Sequence, residues 1–397
     1  MINITDIQNA RQRIGPYIHK TPLIHSNSLS MLTGAEVYLK LENLQKTGSF
    51  KVRGAFNKLL NVDGGKVIAA SMGNHAQAVA FAAQALGKSA TIVMPTTVSL
   101  VKEEATRGYH ADVVLVGEGF KDALEYAVSQ KDHLFIHAFD DDEVIAGQGT
   151  IGIEILEDLK DVDAVFVPVG GGGLIAGTAI AVKALSPRTV LIGVQAESAP
   201  STYLSLREKK IIECTPLPTI ADGIAVGRTG EKTFELIKRH VDEIQLANED
   251  SIAKAILLFL ERKKLVVEGA GAITLAALMD SKERFQNKRV VLVLSGGNID
   301  FTIIDRIIRK GLATSGRIGV LEVTIDDTAG SLHIVTGVIA SNRANILDVR
   351  HDRLAGNIPF GKAKVIITAE VRGKNHLEHI FLDLAEKGYE VKELTRI

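Results

Sequence analysis

The sequence predicts an α/β protein of two lobes built on parallel sheets, followed by a small ferredoxin-like βαββαβ module. Three observations point there. Short β-rich apolar runs alternate with stretches of helical periodicity over about the first 310 residues. Three of those runs end directly in polar or glycine-rich turns, SMGNH, GGGG and SGGN. Beyond Gly311 the order of elements changes to strand, helix, strand, strand, helix, strand.

Taken in order, the chain opens on MINITDIQNARQRI, an amphipathic helix with Ile4, Ile7, Ala10 and Ile14 on one face. Apolar runs follow at 67–70, 90–94, 112–116, 134–137, 164–169, 190–195, 243–246 and 290–294. Between them, stretches such as 76–86 and 251–263 carry apolar residues at three- and four-residue spacing, the pattern of helices covering a parallel sheet. So many strands would overfill one sheet, which predicts two lobes with a cleft, the smaller over about 40–145 and inserted in the larger. GLATSGRIG, from Gly311, has the composition of a linker. The expected domains are therefore 1–312 and 320–397, joined by 313–319. In the second, strands are expected at 320–326, 346–353, 362–371 and 389–394, and helices at 331–342 and 376–387. The first of those helices turns Leu332, Val335, Val338 and Ile339 to one side.

Composition bounds the function. Apolar residues make up 46% and charged residues 23%, enough for a large core and against disorder. Lys and Arg total 46 against 47 for Asp and Glu, so there is no electrostatic ground for a nucleic acid or an anionic membrane as partner. A single cysteine, Cys214, excludes an internal disulfide and a multi-cysteine zinc site. With no signal-peptide pattern, it predicts a cytoplasmic protein. Residues 164–182 carry no charge, but Pro168 and four glycines interrupt them, so a buried strand, a turn and a helix fit better than a membrane span.

In open parallel sheets ligands gather beyond the carboxyl ends of strands, and three special turns suggest one shared site. The tetraglycine Gly170, Gly171, Gly172 and Gly173 is the most informative. A simple turn needs one or two glycines, and each costs backbone entropy. Without Cβ atoms the N–H groups can close on a phosphate, helped by a helix starting near Leu174. Gly171, Gly173 and Ala176 also fit the G-x-G-x-x-A dinucleotide pattern, with Glu197 ending the next strand as a ribose-binding acid, so a nicotinamide-dependent dehydrogenase stays open. Lys51, after TGSF and before an apolar-periodic helix, is poorly placed to offset a helix dipole. That dipole and partial desolvation would lower its pKa, which suits an amine that must be neutral to form a Schiff base. The duller reading is a solvated surface lysine.

The segments TGSFKVRGA, SMGNHAQAVA, ATRGYHADVVLVG, AFDDDEVIAGQGTIGIEI, VPVGGGGLIAG, ADGIAVG, VVEGAGA and LSGGNID, in this order, closely resemble the threonine and serine dehydratase family, fold-type II enzymes that use pyridoxal 5'-phosphate. The resemblance covers about residues 5–310, and the tail from about 317 resembles an ACT domain, a small-molecule-sensing module. It implies a catalytic domain that removes water and ammonia from threonine to give 2-oxobutanoate, and also acts on serine. Lys51 would carry the cofactor and move the Cα proton. Phe50 and Gly223 would cover the two faces of its ring. Gly170 to Gly173 and the Leu174 N–H would bind its phosphate, Asn74 its phenolic oxygen, and Ser295 would face the ring nitrogen. The turn Ser71, Met72, Gly73, Asn74 and His75 would hold the substrate carboxylate on backbone N–H groups. A hydroxyl such as that of Ser295 cannot protonate a pyridine, which makes the ring a weaker electron sink and favours elimination over transamination. The acid for the leaving hydroxyl would be the cofactor's own phosphate. The tail would sense an amino acid such as isoleucine or valine, as in isoleucine biosynthesis, and similar proteins are dimers or tetramers.

Three positions depart from the family pattern. Met72 stands where dehydratases have alanine and serine racemases have serine, and a thioether cannot return a proton to Cα. Glu197 is accompanied by Ser201 and Tyr203 where metal-dependent relatives carry further ligands, so no metal site is expected. Asp327-Thr328-Ala329-Gly330 has alanine where ACT domains have proline, in the loop that lines the effector site. A serine dehydratase or racemase, and a non-catalytic amino-acid sensor driven by the tail, are the remaining readings.

Overall fold

The computed structural model describes residues 2–354 and 358–394 and divides the chain into two compact units, Met1–Asp300 and Phe301–Ile397. The first unit holds ten strands: β1 (Leu23–His25), β2 (Glu36–Lys40), β3 (Lys66–Ala70), β4 (Ser89–Met94), β5 (Asp112–Leu115), β6 (Leu134–Phe135), β7 (Ala164–Pro168), β8 (Val190–Ala196), β9 (Glu243–Ala247) and β10 (Arg289–Val293). They form two sheets. One has the order β5-β4-β3-β6 and is parallel throughout. The other has the order β1-β2-β10-β7-β8-β9, parallel except for the β1–β2 pair.

Every apolar run of the first 300 residues is a strand within a residue or two of its expected ends. β1 and β2 were not expected. β1 is three residues long, and β2 alternates Glu36, Tyr38 and Lys40 with Val37 and Leu39, so neither is a continuous apolar run. Both faces of the small sheet are covered, as a parallel sheet requires. Val67 and Ala69 pack on the side of the helices Lys51–Leu60 and Asn74–Ala85. Ile68 and Ala70 pack on the other side with Ala123 and Ala127 of the helix Phe120–Ser129. The large sheet has its own core, in which Ile7 and Ala10 of the first helix, Ile4–Ile14, join residues of β7, β8 and β10. The uncharged stretch 164–182 is β7, a turn and the helix Gly173–Leu185.

The two lobes are pinned where Lys51–Leu60 meets the buried helix Asp142–Asp158. Arg53 is fully buried there. Its guanidinium donates to Glu42 (2.8 and 2.7 Å), to Glu154 (2.7 and 2.9 Å) and to the Thr150 hydroxyl (3.0 Å). Lys40, at the end of β2, also pairs with Glu154 and donates to the Thr21 carbonyl at 2.7 Å. Two cations therefore meet two carboxylates, and the fork geometry of arginine serves both. Burial pushes Glu154 up, but Arg53 and Lys40 pull it further down, so its carboxyl lies below its ordinary value.

The second unit holds the helix Phe301–Thr314, then β11 (Ile318–Asp326), the helix Ser331–Ser341, β12 (Asn345–Asp352), β13 (Lys362–Glu370), the helix Lys374–Glu386 and β14 (Glu390–Glu393). Its antiparallel sheet has the order β12-β13-β11-β14, the ferredoxin-like arrangement. Val335, Val338 and Ile339 are buried against it with Leu332 partly so. The linker expected over 313–319 is shorter: the helix runs through Thr314 and β11 starts at Ile318. The Thr314 hydroxyl returns to the Lys310 carbonyl, and Ile304 and Ile307 supply a buried face, so glycine and threonine here sit at a helix end. The division at 300/301 accordingly falls before the expected boundary at 312. Residues 355–357 and 395–397, both within the expected 320–397 domain, lie outside the described residues.

Arg53→Met leaves two buried carboxylates with one cation between them, and its expected cost is about 3–5 kcal/mol. Urea unfolding of the variant beside the parent protein measures it. Arg53→Lys recovers only part of the loss, because an ammonium cannot make both bidentate contacts.

Candidate active site

Four segments meet at the carboxyl ends of strands. The turn after β10 is laced to the segment before Lys51. Ser49 bridges Gly296, the Phe50 N–H donates to the Ser295 carbonyl at 3.0 Å, and the Gly297 N–H donates to the Gly48 carbonyl at 2.9 Å. Gly48 sits at φ +72°, and a Cβ there would lie 2.5 Å from the Asn298 side-chain oxygen, so both conformation and space demand glycine.

Lys51 is the first residue of its helix. Its Nζ donates to the Ala138 carbonyl at 3.0 Å and stands 5.2 Å from the centre of the Phe50 ring. Burial lowers the amine from its ordinary 10.5 to about 8, against a small upward pull from Glu268. The next residue along from Ala138 reaches the tetraglycine. Cβ atoms at Gly171 and Gly173 would strike Phe139, at 2.3 Å from its ring and 2.9 Å from its carbonyl oxygen. Gly172, at φ +101°, caps the helix Gly173–Leu185. Asp140 braces the same loop from behind. Its carboxylate accepts from the Glu231 and Thr233 amides at 3.1 and 3.0 Å, capping the helix Glu231–His240, while the Thr233 hydroxyl donates to the Gly171 carbonyl at 2.7 Å. Among the described residues, the N–H groups of Gly170, Gly171 and Gly172 find no acceptor.

The turn after β3, Ser71 to His75, leads into the helix Asn74–Ala85, whose first amides lack intrahelical partners. A Cβ on Gly73 would meet nothing within 4 Å, and Met72 is exposed. The His75 ring points into the small lobe, with Nε2 at 3.0 Å from the Ile136 carbonyl. Burial and the nearby Lys51 push it down to about 3, so it is neutral. Only its backbone is available to a ligand. Asn74 is tied across the lobes to Glu268, and Asn298 is tied to Asn74. Gly223 lies beside the same carboxylate, its Cβ position 3.6 Å from Glu268 Oε1.

A family model for pyridoxal-phosphate dependent enzymes matches residues 14–296. The chain belongs to the pyridoxal-phosphate dependent enzyme family. Its two parallel sheets are the fold-type II arrangement of that family, here with a small antiparallel sheet after it. The L-threonine ammonia-lyase of Thermotoga maritima is 48% identical to it over 399 residues, 99% of both chains. That of Geobacter sulfurreducens is 44% identical over 401 residues, 99% of this chain and 100% of the relative. Among solved structures, the processed form of threonine deaminase isoform 2 from Solanum lycopersicum matches with a TM-score of 0.74 at 40% identity, over 77% of this chain and 86% of that one.

The residues of this family member fit the cofactor. Three partnerless glycine amides at a helix start suit a phosphate, and a half-buried, poorly solvated amine with no ion-pair partner among the described residues suits an aldehyde. The family match leaves no ground for the dinucleotide reading of Gly171, Gly173 and Ala176. Glu197 is exposed at the end of β8, the Ser201 hydroxyl is used on the Val226 carbonyl, and among the described residues no cluster of His, Cys, Asp and Glu could hold a metal. No described helix is long and apolar enough to cross a membrane. Ala138, Phe139, Asp140, Glu268 and Asn298 carried no role in the sequence reading, although each lies in or beside a segment that bears the family resemblance.

In cofactor-free protein, Lys51→Met removes a buried ammonium. The folded-state pKa lies below the unfolded one, so this group's stabilising contribution exists above about 10.5 and is lost as pH falls through about 8. The variant is therefore expected to be more stable than the parent at pH 7, by about 2 kcal/mol. The advantage should disappear as pH rises between those two values. Urea unfolding of both apoproteins across that range checks it.

Proposed function

We infer that this chain is an L-threonine ammonia-lyase: it converts L-threonine to 2-oxobutanoate and ammonia. The observation that carries this reading is end-to-end identity with L-threonine ammonia-lyases, 48% over 99% of both chains in one case, on a site whose amine and amides fit the family's cofactor. When bound, pyridoxal phosphate supplies a sink for the electron pair released at the substrate Cα.

The chain's own residues have the following proposed parts. Lys51 anchors the cofactor and moves the Cα proton, a task suited to an amine that burial keeps near neutrality. Gly170 to Gly173 and Leu174 hold the phosphate on backbone N–H groups. Phe50 and Gly223 flank the ring, and Ser295 faces its nitrogen with a hydroxyl that leaves it unprotonated. Asn74 meets the phenolic oxygen. In the Ser71-to-His75 turn the amides of Met72, Asn74 and His75 receive the substrate carboxylate at a helix start, because the Ser71 N–H donates to the Val93 carbonyl at 3.2 Å and the Gly73 N–H to the Ser71 hydroxyl at 3.3 Å. Met72 brings no exchangeable proton to that turn, which disfavours racemisation of serine. Serine elimination to pyruvate is a side activity of the same arrangement.

The finer proposals concern the tail and the setting. The βαββαβ unit is an ACT-type regulatory module, and isoleucine or valine binding there changes turnover, as suits a biosynthetic enzyme. The chain acts as a homo-oligomer. Its single, half-buried thiol suits the reducing cytoplasm.

Lys51→Ala is expected to lower threonine turnover by about a thousand-fold or more and to abolish borohydride-dependent attachment of the cofactor. The parent protein is expected to release 2-oxobutanoate and ammonia from threonine, and threonine incubated with it without any keto acid formed would end the elimination reading. For the tail, initial rates are measured on the full chain with isoleucine and valine added in turn. A shift with either supports the module's role, and no shift with either removes it.

A further inference from the structure

One carboxylate at the site has no part in the scheme above. Glu268 precedes the helix Gly269–Asp280, is 4% exposed, and among the described residues has no ion-pair partner. Its hydrogen-bond donor is Asn74, whose Nδ2 stands 2.9 and 3.0 Å from the two carboxylate oxygens. The other edge of that carboxamide is held from a third segment. Asn298 Nδ2 donates to Asn74 Oδ1 at 2.8 Å and to the Thr47 carbonyl at 2.8 Å.

This row has a direction. The Thr47 carbonyl can only accept, so Asn298 must turn its amino group inward. Asn74 then meets it with oxygen and presents N–H groups to Glu268, which must accept. Reversing Asn74 sets donor against donor, and reversing Asn298 sets acceptor against acceptor. An ionised Glu268 accepts with both oxygens, whereas a protonated one keeps a single acceptor oxygen and sets its O–H against the Asn74 amino group.

We propose that Glu268 is a positioning residue for threonine elimination: acting through Asn74, and with Asn298 fixing the opposite edge, it holds the Ser71-to-His75 turn in the orientation that receives cofactor and substrate. The inference rests on the elimination reading of this site. The groups that face Glu268 are Asn74 from the turn, Asp222 and its ion-pair partner Lys102 at 2.7 Å, and Lys51. Burial raises the carboxyl to about 7; Asn74, Lys102 and Lys51 pull downward and Asp222 upward. The two-oxygen acceptor is therefore lost as pH falls through neutrality, and the hold on the turn weakens with it.

The test uses holoenzyme of the parent chain, Glu268→Gln and Asn298→Asp, with kcat and KM for threonine followed over about pH 6 to 9. Apoenzyme affinity for pyridoxal phosphate, read by absorbance, is the second measurement. Glutamine offers Asn74 one acceptor oxygen, as the protonated acid does, but does not titrate, so the acid limb of kcat/KM should move by at least about one pH unit or vanish, with kcat/KM at high pH below the parent's. Aspartate at 298 cannot donate to both Thr47 and Asn74, so kcat should fall about ten-fold or more and cofactor affinity should weaken. A purely structural Glu268 would lower the melting temperature and leave the pH limb in place. A parental pH profile in the glutamine variant, or parental kcat and cofactor affinity in the aspartate variant, overturns the proposal, and either variant decides it if the other fails to fold. A parent chain that does not turn over threonine overturns the elimination reading instead.

Discussion

A guanidinium sealed from water, two residues after Lys51, fixes the geometry on which the site depends. Arg53 joins the helix of Lys51 to Glu42 beyond β2 and to Glu154 on the long buried helix, and Lys40 completes the charge balance. Such a cluster adds little net stability over an apolar core, but it tolerates few other arrangements, because any shift strands a charge in a dry interior. The helix is thereby held in rotation as well as in position. Lys51 needs no counter-ion to hold it in place, since the helix beneath it is already fixed.

That separation of tasks explains the electrostatics around the amine. Burial is the leading influence on Lys51, His75 and Glu268, and it drives all three towards their neutral forms. A neutral amine is the form that attacks a carbonyl. A neutral His75 adds no second positive charge beside it. Positive potential for an anionic ligand comes instead from amides at two helix starts, which carry no proton to lose and no side chain to reorganise.

Most of the fold was legible because the apolar runs of parallel strands are long and unbroken, and because the tail keeps a clean alternation along β11 and β13. β1 and β2 escaped notice for the opposite reason: β2 carries Glu36 and Lys40 among its five residues. The first part of the apparent linker is helical because Ile304 and Ile307 outweigh the glycine and threonine that follow. At the site, the tetraglycine stands out locally, since its backbone demands are visible in adjacent residues, whereas Lys51 took its expected role from the family resemblance. Glu268, Asn298 and Asp140 could not, since each is given its meaning by a partner on a distant segment, 194 residues away for Asn74 and Glu268. Motif membership placed them near the chemistry but said nothing of what they touch.

The strand order of the large sheet bears on how the chain is made. β10 lies between β2 and β7, so the amino-terminal pair of strands joins the rest of the sheet through the last strand of the unit. A nascent chain can complete the small sheet once residue 135 has emerged, but β2 and β7 keep open edges until residue 293 follows. Such late, long-range pairing is slow and exposes strand edges in the meantime. The ribosome therefore releases a protein whose larger lobe closes from its middle, after both flanks have waited for the same five residues.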